Sequence, residues 1–402
     1  MALIFVNRYF YPDISATSQM LSDLAMHMAD AGMTVRVITS RQRLTDANAR
    51  LPAREQVHGV DVYRVWTTRF GRHSLPGRAV DYLSFHCSVL WVLLRVLRAQ
   101  DQVVAATDPP LLGVGVAIVA TLRRARLINW LHDIFPETAL VLGVPGIRRW
   151  VGAILLALRD WSLRVATVNV AIGERMAKLL HSRGIPADSV RVIHNWSDGQ
   201  AILPVAANDN PLRDEWGLHG KFVVGYSGNI GRAHRLEILP ALAARFMPCE
   251  DVVFLVIGDG AGLPSLRRSV RARGLTNVIF KPYQPRVQLA FSLGVIDVHL
   301  ISLHPQLEGL IVPSKVYGVL AAGRASVFLG DVDGEVARLL LDSETGFACA
   351  IEDEDSLFDD LNRLREDEQL LEQMGQRARQ MFCAHFDKKH AMEKWLHVLG
   401  FS

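Results

Sequence analysis

Cysteine is scarce in this 402-residue chain, and its four copies, Cys87, Cys249, Cys349 and Cys383, lie far apart without a CxxC pair. That excludes a zinc ribbon and a thioredoxin-type motif, and reads as four buried thiols in a reducing compartment. Glycine and proline, 30 and 17 residues, stay near average usage, which excludes collagen-like and low-complexity architectures. Net charge is low, +3, while half the residues are hydrophobic, so intrinsic disorder is excluded as well. Neither half carries GxGxxG with an acidic residue about 20 positions on, which disfavours a nicotinamide-dependent oxidoreductase. Helix-turn-helix, RNA-recognition and zinc-finger signatures are missing too, so no nucleic-acid partner is expected. The start, Met1-Ala2-Leu3-Ile4-Phe5-Val6-Asn7, lacks the basic region and cleavage site of a signal peptide and reads as a first strand.

Lysine is nearly absent from the first half. Residues 1–200 hold 23 Lys+Arg against 15 Asp+Glu, a balance of +8, and Lys178 is their one lysine; the remainder holds 21 against 26, a balance of −5. An arginine-rich half points to an anionic partner. Residues 82–98 (YLSFHCSVLWVLLRVLR) carry a mostly apolar run ending in spaced arginines. Residues 145–166 combine Arg148, Arg149, Arg159 and Arg164 with Trp150, Trp161 and aliphatics. Neither reaches the roughly 20 uninterrupted apolar residues of a spanning helix. A basic, tryptophan-bearing amphipathic helix suits a membrane interface, so Arg148, Arg149, Trp150, Arg159 and Trp161 are expected membrane contacts.

Strand-like and helix-like stretches alternate. Strands are expected at 3–7, 34–39, 102–106, 126–130, 168–171 and 191–193, with helices at 20–31 and 174–182. After a linker at 206–211 the pattern restarts, with strands at 222–226, 252–257, 278–281, 295–301 and 325–329. Such alternation implies parallel sheets covered by helices, here as two Rossmann-like domains. Ligands of these sheets sit at the carboxyl ends of the strands, so a cleft between the domains is the expected site.

Several segments fall at those ends. Gly225-Tyr226-Ser227-Gly228-Asn229-Ile230-Gly231-Arg232-Ala233-His234-Arg235 is a strand running into a small-residue turn, suited to close backbone approach by an anion, with Arg232, His234 and Arg235 as candidate positive charges for a diphosphate. Val256-Ile257-Gly258-Asp259-Gly260 ends another strand. Glu308-Gly309-Leu310-Ile311-Val312-Pro313-Ser314-Lys315 leads into a small-residue helix closing at Gly323. In the first half, Thr107-Asp108-Pro109-Pro110-Leu111 and Trp130-Leu131-His132-Asp133 each follow a strand. The acidic run Glu352-Asp353-Glu354-Asp355 reads as a solvated helix face rather than a metal site.

The stretch 308–324, with its pattern E-G-x-x-x-P-S-K-x-Y-x-x-x-A-A-G-R, resembles the donor-binding half of retaining GT-B glycosyltransferases of family 4, in particular lipopolysaccharide, capsule and exopolysaccharide enzymes. The resemblance covers nearly the whole chain. It implies an α/β GT-B fold: an acceptor-binding domain at 1–199, a donor-binding domain at 200–385, and a terminal helix at 386–402 crossing back onto the first. It places Glu308 at the donor sugar, with Gly309, Leu310, Ser314 and Lys315 at the diphosphate and Tyr283 and Gln284 near the base. Gly228, Asn229, Gly231, Arg232, His234 and Gly258 complete the donor side. Ser15, Ala16, Thr17 and Asp108 fall on the acceptor side, and His132 and Asp133 on catalytic positions. The family's Arg-and-Lys diphosphate pair falls here on Asn229 and His234, leaving Arg232 or Lys315 to supply the charge. The second Glu of its Glu-seven-Glu motif falls on Gly318 or Val316, leaving Glu335 as the candidate ribose ligand.

The implied reaction is metal- and cofactor-free transfer from a nucleotide-diphosphate sugar, UDP favoured over GDP, to a polyprenyl-pyrophosphate-linked saccharide. The implied place is the cytoplasmic face of an anionic membrane, held peripherally. Two alternatives stay open on sequence: a catalytically silent scaffold that binds nucleotide sugar or lipid, and a GT-B nucleotide-sugar 2-epimerase.

Overall fold

The computed structural model describes residues 1–44, 46, 48–71, 74–144 and 149–401. The chain forms two compact units, Met1–His194 with Met392–Ser402, and Asn195–Ala391.

Among the described residues the first unit holds eight strands: β1 (Leu3–Val6), β2 (Val35–Ser40), β3 (Arg54–Val57), β4 (Val60–Val65), β5 (Gln102–Ala106), β6 (Arg126–Leu131), β7 (Val168–Ala171) and β8 (Val190–Val192). Their order is β3-β4-β2-β1-β5-β6-β7-β8, all parallel except β3. The second unit holds β9 (Phe222–Ser227), β10 (Val252–Ile257), β11 (Val278–Lys281), β12 (Val298–Ser302), β13 (Ala325–Leu329) and β14 (Gly346–Cys349), ordered β11-β10-β9-β12-β13-β14 and wholly parallel. In each sheet the chain winds outward one way from the first strand and then the other, so a switch point lies beside that strand: between β1 and β5, and between β9 and β12. The switch point parts the two following loops, which leaves room there for a ligand.

The strand sequences show why these sheets form. In β10, Val252-Val253-Phe254-Leu255-Val256-Ile257, every residue is buried, as befits a central strand with helices on both faces. Three strands were not anticipated: β3, β4 and β14. The first two form a hairpin whose two-residue turn, His58-Gly59, has both residues at positive φ, a type I′ geometry that His-Gly signals less strongly than Asn-Gly.

Other differences are local. The first helix is Ala16–Asp30, starting four residues before the expected 20–31, because the backbone turns helical directly after Ser15. Only Cys349 of the four cysteines is buried; Cys249 is half-buried, Cys87 and Cys383 are exposed, and all are free thiols. The apolar run near residue 90 belongs to a 22-residue helix, Leu75–Val96, which by length and composition alone could cross a membrane. One face of it is core: Phe85, Val89 and Leu93 pack with Ile4, Val6 and Val116. Its Asp81 carboxylate accepts hydrogen bonds from Thr68 Oγ1 and the backbone N–H groups of Phe70 and Gly71.

Asp353 caps the helix Glu354–Glu366, and Asp355 pairs with Arg245 at 2.6 Å. The final helix, Lys388–Leu399, brings Trp395 edge-on to Trp130 of β6, centroids 5.0 Å apart, both fully buried. Gln102 and Arg126 donate to the carbonyls of Leu399 and Val398. Trp395→Ala therefore leaves a large cavity under β6. The expected cost is about 3–5 kcal/mol, read as a lowered denaturation midpoint.

Candidate active site

In the second unit the loops after β9 and β12 meet at the switch point and are sewn together. Ser302 Oγ donates to the Arg235 carbonyl (2.8 Å) and accepts from the Arg235 N–H (2.9 Å). His234 Nδ1–H donates to the Ser302 carbonyl at 2.6 Å, and the His304 N–H donates to the Ala233 carbonyl at 2.8 Å. The loops after β9 and β10 touch backbone to backbone. Gly258 sits at φ +133°, and a Cβ there would fall 2.2 Å from the Gly228 carbonyl oxygen. No side chain fits, so the glycine pattern of Gly228 and Gly258 serves first to let these two turns approach.

Lys315 opens the helix Lys315–Ala321, and Ser314 is its N-cap without a side-chain capping bond. The lysine's Nζ is buried, makes no hydrogen bond, and lies 3.6 Å from the centre of the Tyr226 ring, beside Gly228. Burial drives its pKa well below that of a free lysine. Tyr226 is fixed in turn by donating its hydroxyl to the Asn229 carbonyl at 2.7 Å.

Glu308 and Gly309 are the central residues of a type II turn closed by the Leu310 N–H to the Leu307 carbonyl (2.9 Å), with Gly309 at φ +74°. The turn brings the Glu308 carboxylate to the start of the helix Glu335–Asp342, where Oε1 accepts the Glu335 backbone N–H at 2.8 Å. Glu335 thus neighbours Glu308, while Val316 is buried under its own helix. Leu310 is buried and Tyr283 is exposed. Gln284 bonds only within its own turn, to the Pro282 carbonyl. Asn229 and Arg232 are exposed, and Gly231 lies between them.

One expectation is corrected here. His234 supplies no positive charge: burial above all lowers its pKa to about 4, outweighing its hydrogen bond to the Ser302 carbonyl, which favours the charged ring.

In the first unit, Ser15, Ala16 and Thr17 form the cap and first turn of the helix after β1, and the Asp108 carbonyl accepts the Arg8 N–H at 2.9 Å across the switch point. His132 follows β6, its ring against Trp130 (centroids 4.5 Å), and burial lowers its pKa to about 3. Asp133 is raised by burial, an effect opposed by a hydrogen bond from Thr107. Asp133 and Arg159 both line a cavity of about 40 Å³, and each has a buried atom without a hydrogen bond, Oδ1 and Nη1.

Arg159 is the second correction. It is not a surface cation of the helix Arg149–Val165: it is buried, bonded to Glu137 (2.6 Å) and Asp160 (2.7 Å), and so closed to a lipid headgroup. Trp150 and Trp161 are exposed. Arg148 lies outside the described residues. Tyr226 and Ser302, central to the geometry, were not singled out from sequence; their position at the ends of β9 and β12 was the available signal.

Two Rossmann-type sheets, the second carrying a small-residue switch-point site, define the GT-B class. Two family models match the chain: "Glycosyl transferase 4-like domain" over residues 16–196 and "Glycosyl transferases group 1" over 209–381. A Pseudomonas aeruginosa protein named as glycosyltransferase WbjE is 29% identical over 258 residues; the match spans 63% of this chain and 63% of that one, just under two thirds. An Escherichia coli protein named as the colanic acid biosynthesis glycosyl transferase WcaI is 24% identical over 88% of this chain and 89% of its own. The structure of Anabaena HepE in complex with UDP superposes with a TM-score of 0.73 at 17% identity, covering both chains completely. The chain belongs to the family 4 GT-B glycosyltransferases.

His132, His234 and His299 are all held neutral, at about 3, 4 and 3, against about 6.5 when unfolded; burial is the main cause in each. Between pH 6.5 and about 4 the unfolded chain binds more protons than the folded one. Stability is therefore full above pH 6.5 and falls on acidification, by up to about 1.4 kcal/mol per pH unit for each histidine. Equilibrium unfolding from pH 7 to 4.5 checks this, with His299→Gln expected to show the shallower loss.

Proposed function

We propose that the protein transfers a sugar, with retention, from a nucleoside-diphosphate sugar to a polyprenyl-pyrophosphate-linked saccharide in surface-polysaccharide synthesis. A UDP-sugar is favoured as donor. The observation that carries the donor half is the buried Lys315 ammonium position at the β9/β12 switch point, without a hydrogen-bond partner and beside the Gly228 turn. A leaving diphosphate needs its developing charge stabilised in a water-poor site. Lys315 and the exposed Arg232 supply cations, and the tight turns at Gly228 and Gly258 supply close backbone approach. The UDP held by Anabaena HepE and the biosynthetic name of WcaI support this reading.

Glu308 is assigned to the sugar hydroxyls, Glu335 to the ribose, and Tyr283 with Gln284 to the base. Retention then proceeds by front-face attack, the departing phosphate taking the acceptor's proton. No covalent nucleophile is required. His132, a neutral imidazole, and Asp133 position acceptor or sugar. The alcohol proton passes to phosphate oxygen as the new glycosidic bond forms and the sugar–phosphate bond breaks.

The acceptor half rests on a surface of the first unit. Helix Leu75–Val96 packs on helix Leu112–Arg123, which packs on helix Arg149–Val165. Together they expose Leu83, Trp91, Ile118, Leu122, Trp150 and Ile154, with Trp91 and Trp150 58% and 64% accessible. Arg95 stacks on Trp91 at 4.2 Å, and Arg98, Arg123 and Arg164 are exposed nearby in sequence. Apolar area, tryptophan and arginine together suit an anionic bilayer surface, holding the enzyme peripherally where a lipid-linked acceptor resides.

Saturating UDP, at about 100 times its dissociation constant, adds about 2.7 kcal/mol of stability, so a thermal shift with UDP, and none with NAD, is expected; GDP, ADP and dTDP run beside it. No shift with any nucleoside diphosphate would remove the donor assignment. Glu308→Ala is expected to retain that shift and lose sugar transfer by at least a hundredfold; full activity would take Glu308 out of the site. For the membrane face, Trp91→Ser with Trp150→Ser is expected to abolish flotation with phosphatidylglycerol vesicles, and unchanged flotation would exclude that face.

A further inference from the structure

Lys315 is a cation position without an anion. Its Nζ has three donors to satisfy when protonated, yet it is buried with no hydrogen-bond partner. Among the described residues, the titratable groups around it are Tyr226 on β9, His234 in the loop that follows, and His299 on β12. Tyr283 and Arg324 act on this group only at second hand, through Tyr226 and His299. None brings a negative charge. Tyr226 and the two histidines are neutral, since burial raises the phenol and lowers both imidazoles. The Tyr226 ring face attracts a cation, but one ring does not replace three hydrogen bonds and a counter-charge. A buried, unpaired ammonium under those conditions sheds its proton.

Building on the donor-site reading above, we propose that Lys315 is a neutral amine in the unliganded protein and gains a proton from solvent when a nucleoside diphosphate enters, so that donor binding and protonation are one event. The balance is simple: amine, solvent proton and nucleotide become an ammonium–diphosphate pair, with no other bond changed. The site gains its charge together with the ligand that needs it, and loses it when the spent nucleotide departs. Burial's downward pull on the lysine's pKa agrees with this.

The test is calorimetric titration of the full chain with UDP at pH 8, in buffers of different ionisation enthalpy. At that pH the nucleotide's own terminal phosphate, with a second ionisation near 6, is already fully charged. The expected result is uptake of close to one proton per UDP by the wild type and none by Lys315→Met, with affinity in that variant at least tenfold weaker. His234→Gln is expected to keep the uptake, which assigns the proton to the lysine. UDP binding with no proton uptake overturns the proposal while leaving the donor site intact, and so does uptake that persists in Lys315→Met. Where GDP, ADP or dTDP binds in place of UDP, the same titration is read with that nucleotide; failure of all four to bind removes the donor-site reading and the proposal with it.

Lys315→Met is expected to melt no lower than the wild type without nucleotide, because it replaces an unsatisfied amine by an apolar chain. Should that variant not fold, the wild type decides alone. Its UDP affinity falls from pH 7 to 9 by up to tenfold per unit, and a flat profile overturns the coupling.

Discussion

The second sheet's switch point would be an open gap without the hydrogen bonds around Ser302. That single hydroxyl both accepts from and donates to Arg235, and its own carbonyl takes the His234 proton. Two loops that leave different strands are thereby made one piece of structure. Everything else in the donor site hangs from that piece. The β9 loop fixes Gly228 and, through Tyr226, the ring under Lys315; the β12 loop continues into the Glu308–Gly309 turn. A shift of Ser302 would disturb the Tyr226 ring under Lys315 and the Glu308–Gly309 turn together. Burial there keeps His234 neutral, so it cannot act as a diphosphate cation.

Two uses of burial are visible. In the second unit the amine of Lys315 is kept buried, with no hydrogen-bond partner among the described residues. In the first, the guanidinium of Arg159 is buried with Glu137 and Asp160, and Asp160 also meets Arg183 at 2.7 Å. A buried pair of this kind adds little net stability but makes removal of one partner expensive. It ties the base of the helix carrying Trp150 and Trp161 to the loop that carries His132 and Asp133. The same residue type thus serves as internal brace at one position and as exposed surface charge at Arg95 and Arg164.

Much of this was legible in sequence because the decisive signals are local. Apolar runs such as Val252–Ile257 announce central parallel strands, and Gly258 announces a turn of close approach. The E-G-x-x-x-P-S-K stretch announces a loop at Glu308 and a helix start at Ser314 and Lys315, where the helix does begin. What escaped was set by partners far away in the chain. Arg159 looked like its neighbours on a basic helix, but Glu137, 22 residues earlier, joins Asp160 in holding it inward. His234 looked like a cation, but the fold buries it against Ser302, 68 residues on, and burial keeps its ring neutral. The β3–β4 hairpin escaped for a different reason: its turn, His58-Gly59, has weak turn chemistry, and its outer strand is polar, Arg54-Glu55-Gln56-Val57.

That polar strand has a consequence beyond the site. The first sheet is parallel up to β4, and a parallel sheet ending in bare backbone would invite another chain to add a strand. β3 is short, runs antiparallel, and carries Arg54 and Glu55, with Arg54 stacked on Tyr63 of β4 and Glu55 paired with Arg64. The charged hairpin is then a guard against edge-to-edge aggregation.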